Sequence, residues 1–109
     1  FLGDAVLDLV ISEYLMEVFP EQNEGVLTQI RADLVAMPSL AGLAKFLDIG
    51  EGLLLGRGEE RSGGRDKPNL LADALEATFG AVFVDGGYAA AKDVIQPLFI
   101  PLLQQTLNE

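Results

Sequence analysis

The chain has 109 residues, half of them hydrophobic, which is enough for one small core and too apolar for a disordered segment. It contains no cysteine and no histidine, which excludes disulfide scaffolds, thiolate metal sites and every form of histidine catalysis. Seventeen acidic against seven basic residues give a net charge of -10, so any catalysis rests on carboxylates, and any anionic partner needs locally concentrated positive charge.

From Leu2 to Phe19 the apolar residues Leu2, Val6, Leu9, Val10 and Leu15 recur at helical spacing. Ala5, Leu7, Ile11 and Tyr14 make other faces apolar too, as expected of a helix central to the core or shared with a partner. Asp4, Asp8 and Ser12 fall on one line, and Pro20 ends the helix. A second helix is predicted from near Glu24 to about Ala36, with Val26, Leu27, Ile30 and Leu34 inward. A third begins at Pro38–Ser39, turns Leu40, Leu43, Ala44 and Leu47 inward, and stops at Asp48 to Gly50. Residues 50 to 68 are too rich in glycine for a helix interior, apart from a short insert over Leu53–Leu55. A fourth helix runs from about Asn69 to Asp85 and is stopped by Gly86–Gly87. A fifth spans about Tyr88 to Leu107, with a kink or break expected near Pro97. No run alternates as a strand, no repeat is visible, and no apolar run approaches the roughly 20 residues of a membrane span. The expected class is all-α.

Asp73 and Glu76 are the only charged residues between Leu70 and Val84. Their spacing puts both carboxylates on one helical face, where like charges are unfavourable unless a cation lies between them. Oxygen donors alone suit magnesium or manganese. The alternatives are a solvent-facing position or pairing with an arginine such as Arg31. Asp4 is a polar point on an apolar helix, and Gly3 beside it permits close approach of another helix. It also fits as the start of a solvated line with Asp8 and Ser12. Four of the seven basic residues lie between Gly56 and Lys67, in a glycine-rich stretch leading into the Asp73/Glu76 helix. That stretch is either a landing site for phosphate or a solvated loop neutralised by Glu59, Glu60 and Asp66.

Four segments together resemble bacterial ribonuclease III. Phe1-Leu-Gly-Asp4-Ala-Val-Leu7 is similar to the second half of that family's signature, Glu-Arg-Leu-Glu-Phe-Leu-Gly-Asp. Glu24-Gly25 follows, then Ile30-Arg31-Ala32. Leu55-Gly56-Arg57-Gly58-Glu59 comes next with Ser62-Gly63-Gly64, and last Leu71-Ala72-Asp73-Ala74-Leu75-Glu76-Ala77. A lone Asp-x-x-Glu is weak; an ordered set along nearly the whole chain is specific.

The resemblance implies an all-α nuclease domain of about five main helices over residues 1 to 109, forming a homodimer that cleaves double-stranded RNA with magnesium, or manganese, to 5′-phosphate and 3′-hydroxyl ends. It implies Asp73 and Glu76 as metal ligands, Asp4 and Glu76 as catalytic, and Glu24 as an accessory acid. Phe1 matches an aromatic residue that plugs the partner subunit, with a place in the chain's own core as the alternative. Ser62, Arg65 and Lys67 are candidate contacts to the RNA backbone. The expected setting is cytoplasmic RNA processing, away from membranes. The start at Phe1 reads as a fragment lacking the preceding helices, the signature's first glutamates and a double-stranded RNA-binding domain, with weak or no activity. A non-catalytic dimerisation or RNA-scaffold subunit is the alternative; an unrelated helical interaction module would need four motifs in order by chance.

Overall fold

The computed structural model describes residues 1–49 and 67–107. They form four helices: α1 (Leu2–Val18), α2 (Glu24–Leu34), α3 (Met37–Phe46) and α4 (Pro68–Leu107). No strand occurs among the described residues, so the all-α expectation holds. The described residues give four helical elements where about five were expected over the whole chain, because the expected fourth and fifth helices meet at Gly86–Gly87 with no loop between them. Gly87, at φ 80° and ψ -172°, is the one non-helical residue inside α4, and a helix resumes directly after it. The junction thus falls where the sequence placed a helix stop, at Gly86–Gly87, and the further break expected near Pro97 does not occur. Pro97 and Pro101 lie within helical backbone, and the positive φ is one that glycine adopts without a Cβ clash.

Local chemistry accounts for most of the other boundaries. Phe19 leaves the helical region ahead of Pro20 while its N–H still donates to the Leu15 carbonyl. The Asn23 side chain caps α2 by accepting from the Val26 N–H at 2.9 Å. α2 stops at Leu34, two residues earlier than predicted, and α3 starts at Met37 with Pro38 in its first turn. Asp48, at φ 57°, takes the left-handed conformation just beyond α3, where aspartate is tolerated better than most residues. Pro68 opens α4, and the Lys67 carbonyl accepts from the Leu71 N–H at 3.0 Å.

α1 and α3 pack mainly on α4, while α2 packs chiefly on α1 and touches α3 and α4 less. The core joins Val6, Leu7, Val10, Ile11 and Leu15 of α1 to Leu71, Leu75 and Phe79 before the Gly87 break and to Ala91, Ile95, Phe99 and Leu103 after it. Leu40, Ala41, Leu43 and Ala44 of α3 close the other side. Several expected core positions instead face out: Leu2 and Leu9 on α1, Val26 on α2, and Leu47 beyond α3. With apolar residues on every face of α1, spacing did not single out the face that α4 would cover. A polar clasp ties α1 to α4 beyond Gly87, where Tyr88 Oη donates to Glu13 Oε1 at 2.9 Å and Lys92 Nζ meets the same oxygen at 2.9 Å.

Candidate active site

The first turn of α1 crosses α4 backbone against backbone. A Cβ on Gly3 would collide with the Glu76 carbonyl oxygen and lie 2.6 Å from its carbon. A Cβ on Gly80 would lie 3.1 Å from the Gly3 nitrogen. Two glycines thus let the helices approach closely where larger residues would separate them. The sequence marked Gly3; its counterpart Gly80 was missed, although it stands one turn beyond Glu76 on the same face.

This crossing brings Asp4 and Glu76 together, with their carboxyl groups close enough to share a hydrogen bond. Glu76 is partly buried, and desolvation is the main cause that pushes its pKa to about 7. The Asp4 hydrogen bond and charge act in the same direction, followed by the charge of Asp73. Asp73, one turn earlier on α4, is exposed and acts on Glu76 through charge. Among the described residues no three acidic side chains converge tightly enough to form a metal cage. The geometry therefore supplies a close pair, Asp4 and Glu76, with Asp73 as a neighbour.

The donor set can be weighed against a divalent cation. All its atoms are carboxylate oxygens, the preferred ligands of magnesium and manganese. Burial first, and then adjacent negative charge, push the Glu76 pKa up, and a cation would offset the charge repulsion. The pair fits such an ion as a partial shell.

The remaining predicted residues lie apart from the pair. Glu24 is exposed on α2 and lines a groove of about 450 Å³ with Ser12, Leu15, Met16, Gln22, Leu27, Thr28 and Arg31. Lys67 immediately precedes α4. Ser62 and Arg65 lie outside the described residues. Phe1 is 113% exposed, which removes the alternative that it fills this chain's own core. It borders a second groove of about 620 Å³ with Leu2, Gly3, Ala77, Gly80, Ala81, Val84 and Asp85.

Arg31 does not reach Asp73 or Glu76. Its Nη1 donates to Ser12 Oγ at 2.7 Å, and Ser12 Oγ donates to the Asp8 carbonyl at 2.6 Å. Burial, and then the charge of Asp4, raise the Asp8 carboxyl above its ordinary range; Arg31 opposes that rise. The line Asp4, Asp8, Ser12 read from the sequence is therefore divided: Asp8 and Ser12 are partly buried on the side of Arg31, whereas Asp4 is exposed beside Glu76 of α4.

The family model described as ribonuclease-III-like matches residues 1–103. The chain is 54% identical over 95 residues to ribonuclease 3 of Desulforamulus reducens, covering 87% of this chain and 39% of the relative. It is 50% identical over 108 residues to ribonuclease 3 of Pelotomaculum thermopropionicum, covering 99% of this chain and 45% of the relative. The chain thus spans less than half the length of these curated relatives. Two solved structures of the nuclease domain of ribonuclease III from Campylobacter jejuni superpose on it. One, in which a region involved in dimer formation is flexible, gives a TM-score of 0.88 at 46% identity, covering 90% of this chain and 68% of that one. The other gives 0.83 at 41% identity, covering 100% and 71%.

Proposed function

The chain belongs to the ribonuclease-III-like family, and on that premise we propose that it is the nuclease part of a dimeric, metal-dependent endoribonuclease that cleaves double-stranded RNA in cytoplasmic RNA processing. The observation that carries this reading is the Asp4–Glu76 pair, held at a glycine-lined helix crossing with Glu76 poised near pKa 7. Two carboxylates drawn together at a partly buried crossing are unfavourable without a cation beside them, which is the arrangement that a metal-dependent nuclease needs.

In the proposed reaction water attacks a backbone phosphorus, an O–P bond forms, and the P–O3′ bond breaks. One product keeps a 5′ phosphate, and the departing oxygen gains a proton to become a 3′ hydroxyl. Asp4 and Glu76, with Asp73 beside them, are the residues that would hold magnesium or manganese. When bound, the ion supplies charge stabilisation at the phosphate and acidifies water. Glu76 would hold the ion as an ionised carboxylate, and Asp4, brought beside it by the helix crossing, would orient the attacking water. Glu24 serves as an accessory acid from α2, and Lys67, with Ser62 and Arg65, contacts the RNA backbone. Phe1, exposed beside an open groove, packs against the second subunit.

One observation favours the non-catalytic alternative: no three-acid group forms among the described residues. Cleavage of a labelled RNA duplex separates the two readings, with magnesium and then EDTA, by this chain and by a form extended through the family's Glu-Arg-Leu-Glu. Glu76→Gln in the active form should reduce the rate by about 10²–10⁴-fold. Metal-independent cleavage, or cleavage that survives this substitution, would refute the assignment. No cleavage by either form would leave the scaffold reading.

A further inference from the structure

Three surface grooves of about 450, 510 and 620 Å³ mark the described part of the molecule. The groove beside Phe1 and the one between α3 and the end of α4 have no basic side chain in their linings. The groove between α1 and α2 contains Arg31, and it lies on the side of α1 that also carries Asp8 and Ser12. We infer that this groove receives one backbone phosphate of the RNA duplex, with the Arg31 guanidinium as its receptor. The inference rests on the nuclease reading above and adds a substrate contact to it.

Geometry and chemistry support the assignment. Ser12 accepts from one of the five N–H donors of the guanidinium, fixing the side chain, and among the described residues no further acceptor engages the others. A planar fork with free donors matches phosphate oxygens. The Thr28 hydroxyl and Gln22 amide line the same groove without a hydrogen bond to the described residues. Such groups are common ligands of nucleic-acid phosphates and carry no base preference. Lys92, by contrast, is committed to Glu13 and Glu17.

The position suits a strand that also passes the acidic pair. Ser12 stands eight residues beyond Asp4, which is about 12 Å along a helix. A duplex advances about 3.4 Å per base pair, so the contact would fall roughly three to four base pairs from the acidic pair. Asp8 and Glu24 flank the guanidinium, so the groove does not attract RNA over long distances. It acts at short range, setting the register of a strand delivered by other contacts.

Arg31 also fastens α2 to α1, so a purely structural role has to be separated from phosphate binding. The measurement is the salt dependence of binding to a fluorescent RNA duplex, in a Glu76→Gln background that prevents cleavage. Arg31→Gln should weaken binding uniformly across duplex sequences and reduce the log K against log salt slope by about one. Arg31→Lys should keep the slope. Thr28 is exposed, so Thr28→Lys tests the groove without touching the clamp, and it should steepen the slope by about one. Unchanged slopes in both Arg31→Gln and Thr28→Lys would overturn the inference; if Arg31→Gln does not fold by circular dichroism, Thr28→Lys alone decides. A parent chain that binds no duplex at all would sink the nuclease reading, and this inference with it.

Discussion

Replacing Gly3 by alanine tests the crossing that builds the site. The new methyl carbon would lie 2.6 Å from the Glu76 carbonyl carbon, whereas ordinary contact begins at 3.4 Å. The obstacle is helix backbone, and its carbonyl oxygen lies nearer still, so α1 and α4 must part by more than the roughly 0.8 Å that the carbon alone requires. A gap of 0.5–1 Å forfeits about a quarter to a half of each dispersion well, and Leu7, Leu75 and Phe79 lie in the packing it would open. Overpacking of this kind costs about 1–3 kcal/mol, and the rigid obstacle places Gly3→Ala near the upper end, even after the roughly 1 kcal/mol gained in helix propensity. Two controls set the scale. In Gly80→Ala the nearest atoms lie 3.1 and 3.3 Å away, so a shift of a few tenths of an ångström suffices and the net effect should be near zero. Gly42→Ala meets nothing within 4 Å and should stabilise α3 by about 0.5–1 kcal/mol. Urea unfolding with a common m-value should rank the midpoints Gly42→Ala above wild type, wild type close to Gly80→Ala, and Gly3→Ala well below. Gly3→Ala unfolding at the wild-type midpoint would refute the tight crossing. So would a Glu76 carboxyl whose titration does not move, because parting the helices separates it from Asp4.

The pH behaviour of the pair has a defined sign. Glu76 has a folded pKa of about 7 against an ordinary 4.5, so the native state binds the extra proton between these values. Its contribution to stability is therefore complete below pH 4.5 and lost as pH rises through about 7. Asp4→Asn should move the Glu76 pKa, followed by NMR, down from about 7 toward the ordinary range; an unchanged value would mean that Asp4 is not its neighbour in solution. Glu13 works in the opposite direction. Its pKa is lowered, first by the Lys92 hydrogen bond and then by that of Tyr88, so the clasp stabilises above the ordinary carboxylate range and fades as pH falls below it. Glu13→Gln should accordingly lower the melting temperature at pH 7 and not at pH 3, and equal losses at both would count against the clasp. Finally, Phe1→Ala should change the stability of the isolated chain by less than about 0.5 kcal/mol, since the side chain is exposed. If Phe1 anchors the second subunit, the dimer dissociation constant should rise about 30-fold in sedimentation equilibrium; an unchanged constant would remove it from the interface.

The parts legible in the sequence were those governed by neighbours along the chain. Pro20, Pro38 and the period of leucine and valine placed several helix boundaries, and the three-residue spacing put Asp73 and Glu76 on one face of α4. The ordered motifs supplied the family. Boundaries with more than one physical solution were less certain. Gly86–Gly87 read as a stop and Pro97 as a break, yet the chain bends at Gly87 and resumes at once, and Pro97 is carried within the helix.

The amino-acid sequence by itself determined an acidic, all-helical chain whose chemistry must come from carboxylates, because composition and local spacing require no knowledge of which helices meet. Only the tertiary structure decided that Glu76 is paired with Asp4, that Gly80 completes the contact begun by Gly3, and that Arg31 binds Ser12 and not the acids of α4. α1 and α4 are apolar on several sides, so helical period alone leaves their docking faces undetermined. The choice follows from where two glycine-bearing backbones can touch while the large side chains around them fill the core.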